Sequence, residues 1–273
     1  KEAKVACAAK KSRHLGLTLR NKAMNRVQWL AEVRLMLEHY KLYWLNFLSG
    51  MLADVLFFYA ILIGLKSVTK TSLSDLDLGS LLALYGVSEF AGALWRTFAL
   101  NILNESMLGT IEHLSLARGG LLTQLTARAF VLGLNGGLYA AAVLLVLYWV
   151  SGISFQPSWW WPLGVLAFFP INLGLAFLMG SLGLLFRRVD NLFIVLNFIL
   201  LPYFLSLTQW QPYMAYLPFA PGAHLVRLGL TGGEFDREIF LLALLQGLLL
   251  FGAGLWAMAY MYRLVRRRGI LGR

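Results

Sequence analysis

The chain has 273 residues, of which 59% are hydrophobic and only 14% charged, with a mean hydropathy of +0.68. Soluble domains carry about 25% charged residues, so a water-soluble fold is excluded and an integral membrane protein is expected. The net charge of +11 therefore bears on membrane sidedness rather than on nucleic acid.

In chain order, residues 1–23 form a basic tail, expected to be disordered against anionic lipids. No charged region followed by an apolar core and a cleavage site is legible before residue 42, so no secretory leader is expected. The next stretch, "MNRVQWLAEVRLMLEHYKLYW", repeats Val27, Leu30, Val33 or Arg34, and Leu37 at helical spacing. It predicts an amphipathic helix in the membrane interface, with Arg26, Glu32 and Glu38 elsewhere on its circumference.

A helical span needs about 20 apolar residues. Six runs qualify: Trp44–Leu65, Leu78–Leu100, Leu125–Val150, Trp161–Phe186, Leu192–Gln209 and Ile239–Tyr262. Pro170 predicts a kink in the fourth, which also has Pro162 near its start; the fifth is short and holds Pro202. Of the 24 basic residues, 20 fall on one side of this layout; Lys66, Lys70, Arg227 and Arg237 fall on the other. By the positive-inside rule both termini are cytoplasmic, and residues 266–273 form a second basic cytoplasmic tail. Trp159, Trp160 and Trp161 at the start of the fourth span, and Trp210, Tyr213 and Tyr216 after the fifth, read as an aromatic belt or as a rim that touches a sugar or lipid.

Asp54 and Glu89 sit near the middle of the first and second spans, with Arg96 two turns from Glu89. A mid-membrane carboxylate costs roughly 2.5–3.5 kcal/mol on insertion scales, so each must face the bundle, a cavity or a partner. A packing pair and a substrate path or gate are both open readings. Asn135, Asn172 and Asn197 are expected to bond between helices, and Gly133-x-x-x-Gly137 to mark close packing. The four histidines show no metal-ligand spacing and read as isolated surface or interface residues. The single Cys7 can form neither an internal disulfide nor a Cys-rich zinc site.

Between spans two and three lies "NESMLGTIEHLSLARGG", residues 104–120. Met107, Leu108, Ile111 and Leu114 make an apolar stripe, with Glu105, Glu112 and His113 off it. A short cytoplasmic helix is expected, capped by Asn104 or Ser106 and ended by Gly119-Gly120. Its acidic side favours a cationic protein partner, and a solvated connector is the alternative.

Glu105–Leu114 resembles the E-x-x-x-G-T-L-E-x-L signature of type-2 ABC exporter permeases, with Ile111 for Leu and "ARGG" where that family has proline. Pro218 and Arg227, nine positions apart between spans five and six, match a second motif of the family. The resemblance covers about residues 25–265. It implies an all-α polytopic fold over 24–265: six transmembrane helices, cytoplasmic termini, the interfacial helix, and an outer re-entrant segment between spans five and six. It also implies that Glu105, Gly109, Thr110, Ile111, Glu112 and Leu114 form a coupling helix that docks on a separate ATPase. Tyr213, Tyr216 and Phe219 would then line or close the outer exit.

The chain has no G-x-x-x-x-G-K-S/T loop, so no nucleotide site of that kind is expected in it. ATP and Mg would bind two copies of the partner ATPase, and a second permease copy, identical or related, would complete the exporter. The expected location is a bacterial plasma or inner membrane, with membrane lipids as partners, no nucleic acid, and no cofactor, metal or catalytic residue of its own. An intramembrane enzyme, or a channel or structural subunit, using Asp54 and Glu89 is the competing class. No Ser/His dyad accompanies those carboxylates.

Overall fold

The structure, a computed structural model, describes residues 30–38, 40–69, 77–111, 120–153, 155–186 and 189–267. The chain divides into two compact units, Lys1–Trp44 and Leu45–Arg273. In the first, residues 30–38 and 40–42 are helical, as the spacing of Leu30, Val33 and Leu37 predicts. Leu30, Leu35 and Leu37 are exposed within it. The remainder of the expected interfacial helix, and the tail before it, lie outside the described residues.

The second unit is all-helical, with no strand among the described residues. Among the described residues seven α-helices follow in order: α1 (Trp44–Thr69), α2 (Leu78–Met107), α3 (Gly120–Ser151), α4 (Trp161–Leu185), α5 (Asp190–Ser206), α6 (Ala220–Thr231) and α7 (Arg237–Arg267). A 3-10 turn, Pro212–Tyr216, precedes α6. Helices α1, α2, α3, α4 and α7 are long and apolar enough to cross a membrane. The chain thus has the makings of a multi-pass membrane protein.

Helix α5, the fifth expected span, has 17 residues. At 1.5 Å per residue it is about 25 Å long, short of a hydrocarbon core of about 30 Å. The helix limits otherwise lie close to the expected runs, except that α2 continues to Met107 and α7 to Arg267. Local chemistry sets these limits. Asp77 caps α2 by accepting the Ser80 N–H at 3.0 Å. Asp236 caps α7 by accepting the N–H groups of Glu238 and Ile239 at 2.9 and 3.1 Å. Pro162 lies in the first turn of α4, where its missing N–H costs nothing, and α4 remains helical past Pro170.

Helix α2 is the central post. Its apolar window is 72% buried, against 17% for those of α1 and α7. Leu84, Leu94, Trp95 and Phe98 of α2 pack with Phe168 and Phe177 of α4, Phe193 and Phe204 of α5, Ala223 of α6 and Met258 of α7. A second cluster joins Val55, Phe58 and Leu62 of α1 to Leu82 and Tyr85 of α2 and Val143 and Leu147 of α3. The outward residues are also apolar, including Leu48, Leu52 and Leu56 on α1 and Leu241, Leu245 and Leu248 on α7. Where lipid is the solvent, burial of apolar area gives little net drive, and close contact between backbones becomes decisive.

That contact is closest between α4 and α7, the most extensively packed helix pair. A Cβ on Gly174 would lie 2.5 Å from the Leu250 carbonyl carbon, and one on Gly254 2.5 Å from the Gly174 carbonyl oxygen. The expected Gly133–Gly137 motif works differently. Gly133 faces the Phe169 ring, and it is Gly136, not Gly137, whose added Cβ would meet the α2 backbone, at 3.5 Å from Leu94 N. Of the three consecutive tryptophans, Trp159 is exposed, but Trp160 is buried with Ala167, Leu225 and Ala243, so it is a packing residue rather than part of a belt.

Candidate functional site

The residues singled out by the sequence fall into three places. The first is the turn after α2. The expected helix start, capped by Asn104 or Ser106, is not what forms there. Asn104 and Ser106 belong to the last turn of α2, and their carbonyls accept the N–H groups of Leu108 and Gly109 at 2.9 and 3.4 Å. They close a helix rather than cap the start of one, because the apolar periodicity of span two runs on without a break. The break comes at Gly109, whose φ of 71° lies in the left-handed region. Thr110 and Ile111 are helical again. Glu112 and Leu114 lie outside the described residues.

Within this turn the side chains divide sharply. Met107 and Leu108 are exposed, Leu108 at 77%, and nothing stands within 4 Å of a Cβ placed on Gly109. Ile111 is turned inward, 2% exposed, in the main core with Leu103, Leu121 and Leu125. Glu105 also faces inward. Its Oε1 pairs with Arg128 Nη1 of α3, with about a fifth of each side chain exposed. Its Oε2 is buried with no hydrogen-bond partner. Its carbonyl accepts the Thr110 hydroxyl at 3.3 Å, across Gly109. Glu105 is thus engaged within the chain, whereas the sequence offered it as an outward contact. The missed partner, Arg128, is the single charged residue of α3. A lone cation in an apolar helix demands a partner, which is the signal that points to it.

The second place is midway along α1, α2 and α3. Tyr139 of α3 donates its hydroxyl to Asp54 Oδ2 of α1. Tyr85 of α2, fully buried, donates to the Asp54 carbonyl at 2.9 Å and lies one helical turn from Glu89. Asp54 is thus joined to Tyr85 and Tyr139, which the sequence did not single out. Arg96 is exposed two turns further along α2. Asn197 of α5 lies over Gly92, its Oδ1 3.0 Å from where a Cβ would stand. Asn172 does not bond between helices as expected: it donates to the Phe168 carbonyl of its own helix at 3.3 Å, and its Oδ1 is buried and unpartnered.

The third place surrounds α6. Arg227, 8% exposed, donates from Nη1 to the Thr208 carbonyl at 2.8 Å and from Nη2 to His224 Nδ1 at 3.1 Å. The His224 ring stacks on Trp210 with centroids 3.7 Å apart. His224 is therefore a buried, paired residue and not an isolated surface one. Burial, with the Arg227 charge beside it, pushes its imidazole down to about 3, and Asp236 opposes this in part. Burial also lowers Arg227, with Asp77 opposing.

The path residues proposed nearby are spread out. Tyr213 and Tyr216 are exposed on the 3-10 turn. Phe219 is half-buried at the start of α6, with φ of 70° and its ring edge-on to Phe204. The carbonyl of Pro218 accepts the Tyr203 hydroxyl. Pro218 and Arg227 thus each tie this segment to α5 or the residues just after it.

Among the described residues no group of three or more His, Cys, Asp or Glu is placed to hold a metal ion. No family model, no curated protein and no solved structure matches the chain.

Proposed function

We propose that this chain is the membrane-spanning permease subunit of an ABC exporter, and that it passes the work of a separate ATPase to the export of an amphiphile such as a drug, a lipid-linked molecule or a glycan. The observation that carries the reading is the turn after α2. The residues that resemble the coupling signature, Glu105, Gly109 and Thr110, fall where a long central helix stops, and Met107 and Leu108 project from it. A projecting apex braced from inside by Glu105 and Ile111 is suited to receiving a push. With α5 as the fifth of six spans, the 20-to-4 charge split puts this turn and both termini in the cytoplasm. The segment around α6 is then the outer re-entrant element, pinned by Arg227 and His224. Two such chains with two ATPase subunits, which bind the ATP and Mg, make the exporter.

A second class, an intramembrane enzyme or a channel, draws on one observation: Asp54 is joined to Tyr85 and Tyr139, and Glu89 lies one turn along α2 from Tyr85. In the exporter reading the same cluster is a candidate for the substrate path or gate. Co-purification with candidate ATPases tests the leading reading. The native chain should retain its ATPase, and Leu108→Glu and Glu112→Arg should each lose it. Unchanged capture by both variants would overturn the assignment of the turn. Turnover of a membrane substrate without any ATPase, abolished by Asp54→Asn, would favour the enzyme.

A further inference from the structure

We propose that Arg128 is a positioning residue for the turn after α2: by holding Glu105 it makes the turn, the end of α2 and the start of α3 move as one body. The proposal deepens the exporter reading and rests on it for the source of the motion.

Three contacts converge on the turn from inside. Arg128 Nη1 meets Glu105 Oε1, the Glu105 carbonyl receives the Thr110 hydroxyl, and Ile111 enters the core beside Leu121 and Leu125 of α3. The first two act through one residue, so Glu105 fixes the turn across Gly109 and the turn against α3 together. Among the described residues nothing lies within 4 Å of a Cβ placed on Gly109, so without Glu105 the turn would pivot there. A contact between two leucines would join α2 to α3 at least as firmly as a partly buried ion pair. It would not fix an angle, because apolar contacts slide and rotate, whereas a charge-assisted hydrogen bond from Nη1 to Oε1 has a defined direction. The single charge of α3 is used for this contact. A push on Met107 and Leu108 would then reach two helices at once.

The test uses the full chain in liposomes with Cys7→Ser and spin labels at Leu108 and Leu134, both exposed. The distance between labels is measured in the parent, in Glu105→Gln, in Arg128→Gln and in the reversed pair Glu105→Arg/Arg128→Glu. The expected result is a narrow distribution in the parent, at least a doubling of its width in each single variant, and a return to near the parent width in the reversed pair. A single variant that fails to insert while the reversed pair inserts supports the same conclusion. Single variants that keep the parent width, or lower the thermal midpoint without broadening the distance, would refute it. So would a reversed pair as broad as either single variant, or one that does not fold. Failure of the exporter reading shows separately, as no ATPase retained by the native chain, and leaves the distance comparison unaffected.

Discussion

Replacing Gly174 with alanine adds one methyl group where there is no room for it. The new carbon would lie 2.5 Å from the Leu250 carbonyl carbon, 2.6 Å from its oxygen and 2.7 Å from the Phe251 nitrogen. Relaxed carbon contacts lie at about 3.5–4.0 Å, so α4 and α7 must part by roughly 1 Å. The obstacle is backbone, which cannot rotate aside. A gap of that size forfeits a quarter to a half of each dispersion contact it crosses, and this seam is the most extensive in the bundle. Overpacking costs about 1–3 kcal/mol where side chains share the strain, and the upper end applies here. Gly252 of α7 is the control, since nothing lies within 4 Å of its added methyl. There alanine should be neutral or stabilise by up to about 1 kcal/mol through helix propensity. Thermal unfolding in a mild detergent would compare the two, with Gly254→Ala expected to behave like Gly174→Ala. Midpoints for Gly174→Ala and Gly252→Ala that agree within error would refute the claim that backbone contact holds this seam.

Two further variants probe the buried polar groups. The His224 imidazole is neutral when folded, with a value near 3, and has an ordinary value near 6.5 when unfolded. The unfolded chain therefore binds the extra proton, so this residue's contribution is complete above about pH 6.5 and declines as pH falls toward 3, by at most about 1.4 kcal/mol per pH unit. His224→Gln should flatten the acid limb of a midpoint-versus-pH curve, and a parallel curve would contradict the assignment. Tyr139→Phe removes the hydroxyl that Asp54 accepts, which should cost about 1 kcal/mol in the same unfolding assay because a partly buried acceptor loses its donor.

The long helices were legible because a run of about 20 apolar residues has one economical structure in lipid. That Asp54 and Glu89 would face the bundle, a cavity or a partner was legible for the same reason. The partners themselves were not. Tyr85 and Tyr139 lie 54 residues apart on different helices, and nothing local marks either as a donor. The turn after α2 was misread in one respect. An apolar stripe beginning at Met107 suggests a new helix, yet the same stripe is compatible with α2 continuing, and only the handedness of Gly109 decides where the break falls. The resemblance singled out Glu105, but the spacing turned it outward, because facing is set by which helix lies alongside. The Gly174–Gly254 seam escaped for a related reason. Its two glycines are far apart in sequence, whereas Gly133 and Gly137 sit one turn apart on one helix and invite a motif reading.

Gly109 has a consequence for chemistry at the turn. Space around it is open, so a larger side chain meets nothing, yet its φ of 71° opposes any L-residue. The penalty, about 1–2 kcal/mol, arises within the residue itself, between Cβ and its own backbone. It should be nearly the same for alanine and leucine and smaller for asparagine. A D-alanine introduced by semisynthesis should be accepted without loss, since mirror-image stereochemistry suits that conformation. The restriction at this position is one of chirality, not of volume.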